Sequence, residues 1–514
     1  MQYGRKEIYT DVKEITSDNL IQVLRRAVIE HFANASDCEE LLRIEKGDQE
    51  QVKKKITRTE IDNWVYDNIA NEITKFKVNF NWGNPLTFIQ RGEIDSGNSN
   101  EADAISILNE YYDAQNQNTK TQELARFVEI CGVGYTMVEI NADWEDGDSP
   151  FIINVLDPRY AFVVRSNYYT DKRVMLGVTF RKDNLGNQYF TCFTKDERFE
   201  VLNTVKIIEN GKEKEVDKWE QLNRGTGINF LGRIPIVEWI RDYDRMGCFE
   251  RQIPIINSIG VLISCILDDT EQNTNAIFWG NDIEFQTDED GNIVKPQDGD
   301  WLLTETTKDG RQPKIEPIVM NYNYNEVLNH ITYLTDRAKI EAGVPLLSGN
   351  VSNTTGVAES NSAGWANAEA DAERQDEIKY GRKTEELKIV LSACRNNPIA
   401  EVDEKVLNLR YVDAKANTSR QKNYEMSIKS ATLSNLINIG VYGLHAFKVV
   451  NMFPDVNQVW SDSREMVEAY QKSRVSTTES EDEPATTDGG MEAQIENSPN
   501  IDGMKTEKVV EANG

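Results

Sequence analysis

The chain has 514 residues, length enough for roughly two to four domains; 39 % of them are apolar and the mean hydropathy is −0.57. Lys and Arg total 57 against 86 Asp and Glu, a formal net charge of −29. That balance argues against a surface that grips nucleic acid by its phosphates, because such surfaces are basic. It leaves open a protein past which nucleic acid slides without sticking, and simple solubility explains the same charge.

Met1 to Leu20 is polar and mixed, unlike a secretion signal. Leu20, Ile21, Leu24, Val28 and Phe32 put a helical stripe on Ser17 to Ala33, and Lys46 to Thr57 is basic and polar. Ile61, Trp64, Val65, Ile69 and Ile73 predict a helix over Thr59 to Thr74, and the alternation from Phe76 to Ile89 predicts a strand or extended edge. Glu101 to Asn116 and Thr121 to Cys131 read as helices, and Gly132-Val133-Gly134 opens a strand over Tyr135 to Ile140. Phe151 to Val205 has the texture of a β-sheet, broken by turn signals. A charged insertion, Glu209 to Glu220, precedes a strand at Ile234 to Trp239. The first 245 residues therefore read as one α+β domain, helices first and an antiparallel sheet after.

Gln252 to Asn275 predicts a helix with Pro254 near its first turn; its first half is apolar almost all round and its second half polar. The dense apolar run Ile253 to Leu267 is too short for a membrane span, which needs about 20 residues. A compact β insert follows over Ile277 to Ile318. Its strands are Ile283 to Phe285, Ile293 to Lys295, Trp301 to Thr304 and Lys314 to Ile318, with turns at Asp290-Gly291, Asp298-Gly299 and Asp309-Gly310. The chain returns along a helix, Tyr324 to Ala342, that Gly343-Val344-Pro345 stops. A soft polar loop leads from Ser348 to Gly356 into a run from Val357 to Cys394, free of Pro and rich in Ala, Glu, Lys and Arg. As one helix it would be about 55 Å long at roughly 1.5 Å per residue. Beyond Asn397-Pro398 lie a strand-like piece, Val406 to Val412, and two helices, Asn417 to Leu436 and Trp460 to Lys472. Ser476 to Gly514, with ten acidic residues against two basic, predicts a disordered acidic tail.

Little in the chain signals catalysis. His31, His330 and His445 lie far apart, and there is no HExxH, GxSxG or Walker A lysine loop. Gly132-Val133-Gly134 is half a dinucleotide fingerprint on the wrong side of its strand and reads as a turn pair. Asp268, Asp269 and Glu271 read as a solvated helix end, a divalent-cation site being the alternative, because EF-hand spacing is missing. Cys38, Cys131, Cys192, Cys248, Cys265 and Cys394 form no CxxC pair and read as reduced thiols.

The order α+β domain, apolar-to-polar helix, β insert, returning helix, polar loop, long helix, C-terminal helices and acidic tail resembles the portal proteins of tailed bacteriophages, the siphovirus type of Gram-positive hosts. Phe249 to Gly280 and Leu347 to Ala363 carry the resemblance most directly. It implies a non-enzymatic homo-oligomeric ring of about twelve copies at one capsid vertex, assembled in the host cytoplasm, through which double-stranded DNA is packaged and ejected. Implied partners are the terminase large subunit, scaffold, major capsid protein and head-completion or adaptor proteins, with no cofactor, metal or membrane.

The implied domains are a wing at 1–245 and 343–396, stem helices at 246–276 and 322–342, a clip at 277–321, a crown at 397–475 and a disordered tail at 476–514. The implied tunnel loop facing DNA is Asn350, Val351, Ser352, Asn353, Thr354 and Thr355. Gly343 and Pro345 would be the hinge between stem and wing. Asp268, Asp269, Glu271, Glu326 and His330 would line the stem wall, and Asp290, Gly291, Asp309 and Gly310 would be clip turns. A carboxylate-dependent hydrolase with a helical accessory domain, or another virion protein such as a capsid or adaptor subunit, are the alternative readings.

Overall fold

The computed structural model describes residues 3–51, 61–90, 99–209, 212–222, 227–274, 278–281, 314–317, 323–346, 364–418, 426–450, 460 and 463–469. A short strand, β1 (Ile8–Thr10), precedes a long helix, α1 (Leu20–Lys46). The helix outruns the expected Ser17 to Ala33 because Cys38, Leu41 and Ile44 continue its buried face. Gly47, at φ 82°, ends it and donates its N–H to the Ile44 carbonyl.

Residues 61–68, expected to be helical, form a strap that is neither helix nor strand, and the helix α2 (Ile69–Trp82) starts only where Asn68 caps the Asn71 N–H. The strap stays out of helix because its donors are engaged elsewhere. The Asn63 N–H donates to Asp268 Oδ1 at 2.8 Å and the Val65 N–H to Ser264 Oγ at 3.1 Å. Residues 76–82, expected to be extended, are helical, because Ile69, Ile73 and Lys77 share the buried face. Strand β2 (Thr87–Gln90) and helices α3 (Ser99–Ala114) and α4 (Gln117–Cys131) follow, the helices near their expected places.

Nine strands come next: β3 (Val133–Ile140), β4 (Phe151–Leu156), β5 (Ala161–Ser166), β6 (Val174–Lys182), β7 (Gln188–Phe193), β8 (Glu197–Glu209), β9 (Lys212–Gln221), β10 (Gly227–Ile228) and β11 (Ile236–Ile240). The charged stretch expected as an insertion is itself β9, antiparallel to β8. Its charges suit a strand at an edge, and Arg25 on α1 pairs with its Asp217 and lies over its Trp219. The larger sheet runs β1-β5-β6-β7-β8-β10 with β9 also on β8; β1 joins β5 in parallel, a departure from the purely antiparallel expectation. The smaller sheet runs β11-β3-β4.

Strand alternation stacks three cores in series. Val133, Tyr135 and Met137 of β3 face one core, with α2 and the C-terminal half of α1; Val138 faces another, with α3 and α4. Ala161 and Val163 of β5 belong to the first of these, Phe162 and Val164 to a third beneath the N-terminal half of α1. The glycines at the head of β3 are structural. Gly132 takes φ 75°, and a Cβ there would lie 2.4 Å from the Arg245 carbonyl oxygen. A Cβ on Gly134 would meet Leu124 and Val128 at 2.9 Å, so α4 rests directly on the strand.

A 3₁₀ turn, Glu250–Gln252, leads into α5 (Ile253–Thr274). The apolar run Ile253 to Leu267 continues as helix into the polar half, and by length and composition alone the longer segment Glu250–Glu271 is apolar enough to cross a membrane. Only 28 % of that window is buried. Strands β12 (Phe278–Asn281) and β13 (Lys314–Pro317) pair antiparallel, so the ends of the β insert meet; the second of these was expected. The other expected strands of the insert lie outside the described residues. Helix α6 (Tyr324–Glu341) returns against α5, and α7 (Trp365–Asn396) is the long helix, about 48 Å at roughly 1.5 Å per residue. The strand expected at Val406 to Val412 is instead a short helix, α8 (Glu404–Asn408), because Asp403 accepts the Lys405 N–H; β14 (Ala414–Asn417) then pairs with β2. The fold is α+β.

Residues 1–420 form one contact unit and 421–514 another. In the second, α9 (Met426–Asn438) and α10 (Gly443–Val450) are joined by Gly440, at φ 90°, and Trp460 packs on Tyr442 and Phe447. The second of these helices falls in a segment without an expected helix. The tail from Ser476 lies outside the described residues.

Candidate functional site

The out-and-back pair α5–α6 meets the body where α2 and α7 cross. Gly343 ends α6 as expected: at φ 69° it donates its N–H to the Ile340 carbonyl, and the Val344 N–H reaches the Lys339 carbonyl at 2.9 Å. A Cβ on Gly343 would lie 3.1 Å from Lys77 Nζ, so the turn sits on that ammonium. Pro345 behind it is buried. Lys77, on α2, is 1 % exposed and donates to Asp371 Oδ2 on α7 at 2.9 Å. Asp371 also faces Arg241 at 3.6 Å and Arg374 at 3.0 Å. Burial alone would raise the Asp371 carboxyl; Lys77 and Arg241 hold it below the usual carboxylate range. Arg241 closes the network on Glu129, which is fully buried and accepts at 3.0 Å. Burial opposes the Arg241 charge, yet Glu129 and Asp371 keep its pKa raised.

A cavity of about 470 Å³ lies over this junction, lined by Arg241, Asp242, Cys248, Gln252, Gly343 and Asp371. Its ionised groups are already paired with one another, and burial pushes the Cys248 thiol up to about 12. It is a seam between elements with no free nucleophile. A larger cleft, about 1250 Å³, between the larger sheet and α7 is lined by both signs of charge, Lys13, Lys195 and Arg233 beside Glu14, Asp18 and Asp196. Among the described residues no three His, Cys, Asp or Glu are placed to hold a metal ion.

The network runs on along α7 at helical spacing. Gln375 Oε1 accepts from Asn81 Nδ2 at 2.9 Å, and Lys379 Nζ donates to the Asn81 carbonyl at 2.5 Å while lying 4.5 Å over the Trp82 ring. Lys383 Nζ donates to Glu386 at 2.5 Å over the Tyr112 ring, and Glu386 accepts from Thr136 Oγ1. Lys379, Lys383 and Glu386 are all buried.

Of the expected stem-wall residues, Asp268 is not on a solvated helix end. It is 4 % exposed, because the strap covers it and Asn63 donates both its N–H and its Nδ2 to Oδ1. Glu271 accepts from the same Asn63 Nδ2 at 2.6 Å; both it and Asp269 are half-buried. Glu326 and His330 are exposed on α6. The structure therefore brings Asp268 and Glu271 together and leaves Glu326 and His330 on the open helix. Asn350, Val351, Ser352, Asn353, Thr354 and Thr355, and the turn residues Asp290, Gly291, Asp309 and Gly310, lie outside the described residues.

Sequence reasoning missed Lys77, Asp371, Gln375, Lys379, Lys383 and Glu386. The spacing of four from Asp371 to Lys383 places them on one face, but a charged face on a long helix reads as solvated. Apart from the Lys383–Glu386 pair, three residues apart, nothing local in the sequence names their partners, which lie some 250 to 298 residues away.

A family model described as "Phage portal protein, SPP1 Gp6-like" matches residues 29–368, more than half of the chain. Among solved structures, a chain of one described as "Neck of empty GTA particle computed with C6 symmetry" is similar at 11 % identity and a TM-score of 0.37, covering 78 % of this chain and 95 % of that one. No curated protein matches.

Proposed function

The chain belongs to the SPP1 Gp6-like phage portal protein family, and from that premise we propose that its copies assemble into a closed ring, a virion component at one capsid vertex through which double-stranded DNA is packaged and ejected. The ring is built in the host cytoplasm, numbers about twelve copies, and acts as a structural channel without catalysing a reaction. It docks the terminase large subunit, scaffold, major capsid protein and head-completion or adaptor protein. In this reading 1–245 and 343–396 are the wing, 246–276 and 322–342 the stem, 277–321 the clip, 397–475 the crown and 476–514 a disordered tail. The proposed crown takes residues from both contact units.

The observation that carries the ring is the apolar surface left on the stem pair. Helix α5 is apolar enough for a membrane window yet 28 % buried, and α6 leaves Leu328, Tyr333 and Ile340 each more than half exposed. Surface of that kind is covered by a partner in the working state. A lipid partner is disfavoured by polar engagement along this segment: Glu250, in the 3₁₀ turn before α5, makes a buried ion pair with Arg5, and Ser264 and Asp268 of α5 bind the strap. Covering by neighbouring copies leaves the exposed polar side chains of α6, Glu326 and His330 among them, for a channel wall on which the Glu326 carboxylate repels DNA phosphates. Asp268, beneath its strap, is no part of that wall.

Mass measurement and end-on imaging of the purified protein test the reading. Rings with a through-hole are expected; a monomer or dimer at every salt and Mg²⁺ concentration overturns it. Asn350 to Thr355 are proposed to face the DNA, so shortening that loop leaves rings intact and reduces DNA packaging or retention. Loss of ring formation in that deletion would refute the assignment.

A further inference from the structure

Helix α7 is held to the body by two different chemistries. From Leu387 onward the contact is apolar: Leu387, Ile389, Val390, Leu391, Ala393 and Cys394 are buried in one core with α3, α4 and the smaller sheet. From Trp365 to Lys383 the buried apolar side chains are two methyl groups, Ala368 and Ala372. Trp365 adds a half-buried ring against Phe76 and Phe80 of α2, at 5.9 and 5.8 Å. Ile378 and Tyr380 add half-buried contacts to the cores on either side; the fully buried remainder of that half is polar, Asp371, Gln375 and Lys379 bonding to groups of α2 and Lys383 lying over the Phe88 and Tyr112 rings.

Polar docking of this kind is weak for its burial. Desolvation of the charges offsets much of their attraction, and the fit is incomplete: Gln375 Nε2 and Asn81 Oδ1 are buried on the same seam without hydrogen-bond partners. Such a seam opens more readily than a packed apolar one and defines a boundary between cooperative units. The element that receives it, α2, also receives the end of α6: Lys339 pairs with Glu72 at 2.9 Å, and Gly343 sits on Lys77.

We propose that residues 365–383 of α7 form an electrostatically latched arm that separates from α2 independently of the apolar half, and that α2 couples the latch to the C-terminal end of α6 through Lys77.

Hydrogen exchange on the full-length protein, read by mass spectrometry at low and high NaCl, tests it. Amides in 366–383 are expected to exchange about tenfold faster than those in 387–394 at either salt concentration, the buried pairs being screened little. Equal rates in the two halves at both salt concentrations overturn the arm. Two variants test the coupling. Lys77→Met removes the latch cation, and Gly343→Ala crowds it from the α6 side in a strained backbone position. Each is expected to raise exchange in 366–383 several-fold with 387–394 unchanged; an unchanged arm in Gly343→Ala refutes the coupling to α6. The comparison of the two halves on the natural protein needs neither variant to fold.

Discussion

Buried ionisable side chains set the sharpest residue-level expectations. Glu238 is 4 % exposed and accepts from Arg245 at 2.6 Å, Arg165 at 2.7 Å and the Tyr135 hydroxyl at 3.1 Å. Burial by itself would raise its carboxyl, and the two guanidinium groups hold it well below the ordinary range. Glu238→Gln strands two largely buried cations and is expected to lower stability by about 3–5 kcal/mol in denaturant titration, whereas Arg25→Ala, which breaks a surface pair, changes it by under about 1 kcal/mol. His31 is the acid-sensitive counterpart. It stacks on Phe162 at 4.4 Å, bonds the Arg159 carbonyl through Nε2, and burial pulls its pKa from 6.5 to about 4. Above 6.5 neither the folded nor the unfolded chain protonates it and no stability is lost. Between 6.5 and about 4 the unfolded chain takes the proton and the folded one does not, so stability falls with pH by up to about 3 kcal/mol. His31→Leu is expected to flatten that part of the profile, measured as the denaturation midpoint against pH. Neither residue was legible in the sequence: a histidine on a helix and a glutamate in a strand look solvated until their facing groups are known.

At the scale of elements, the strap over α5 shows why some pieces were legible and others not. Helices α3, α4 and α6 were readable because stripe and stop signal agree, Gly132 and Gly343 both taking the left-handed conformation that ends the helix before them. Residues 61–68 carry a helical spacing, but their N–H groups are bound to Asp268 and Ser264, about 200 residues away in sequence, and no local periodicity reports that. Strand β9 was hidden for the opposite reason, its charges being those of an exposed edge. Asn63→Ala removes the amide bonds to Asp268 and Glu271 and is expected to lower stability by about 1–3 kcal/mol, with faster proteolytic cutting in 61–68. Asn68→Ala removes the cap of α2 and is expected to lower it by about 1 kcal/mol; paired melting curves separate the two.

The whole molecule was legible in its order and not in its seams. Order of elements pointed to the portal family before any contact was known, since an apolar helix, a β insert and a returning helix leave their mark as composition. Which faces stay open was not readable, because Leu328 and Ile340 look like core residues of an amphipathic helix and are instead exposed. If neighbouring copies cover them, Leu328→Glu with Tyr333→Glu is expected to abolish rings while circular dichroism and melting temperature of the single chain stay near those of the natural protein. Rings that persist in that variant place the subunit contact elsewhere.

The seam between α2 and α7 also has an optical consequence. Trp82 is 2 % exposed, lies 6.1 Å from Trp239 and carries the Lys379 ammonium 4.5 Å above its ring. A cation over the indole shifts the energy of its excited state, so emission from this tryptophan reports the position of the long helix without an added dye. The chain has nine tryptophans, so the difference in time-resolved fluorescence between assembled particles of the natural protein and of Trp82→Phe isolates this signal and follows, averaged over subunits, whether α7 stays seated while DNA moves.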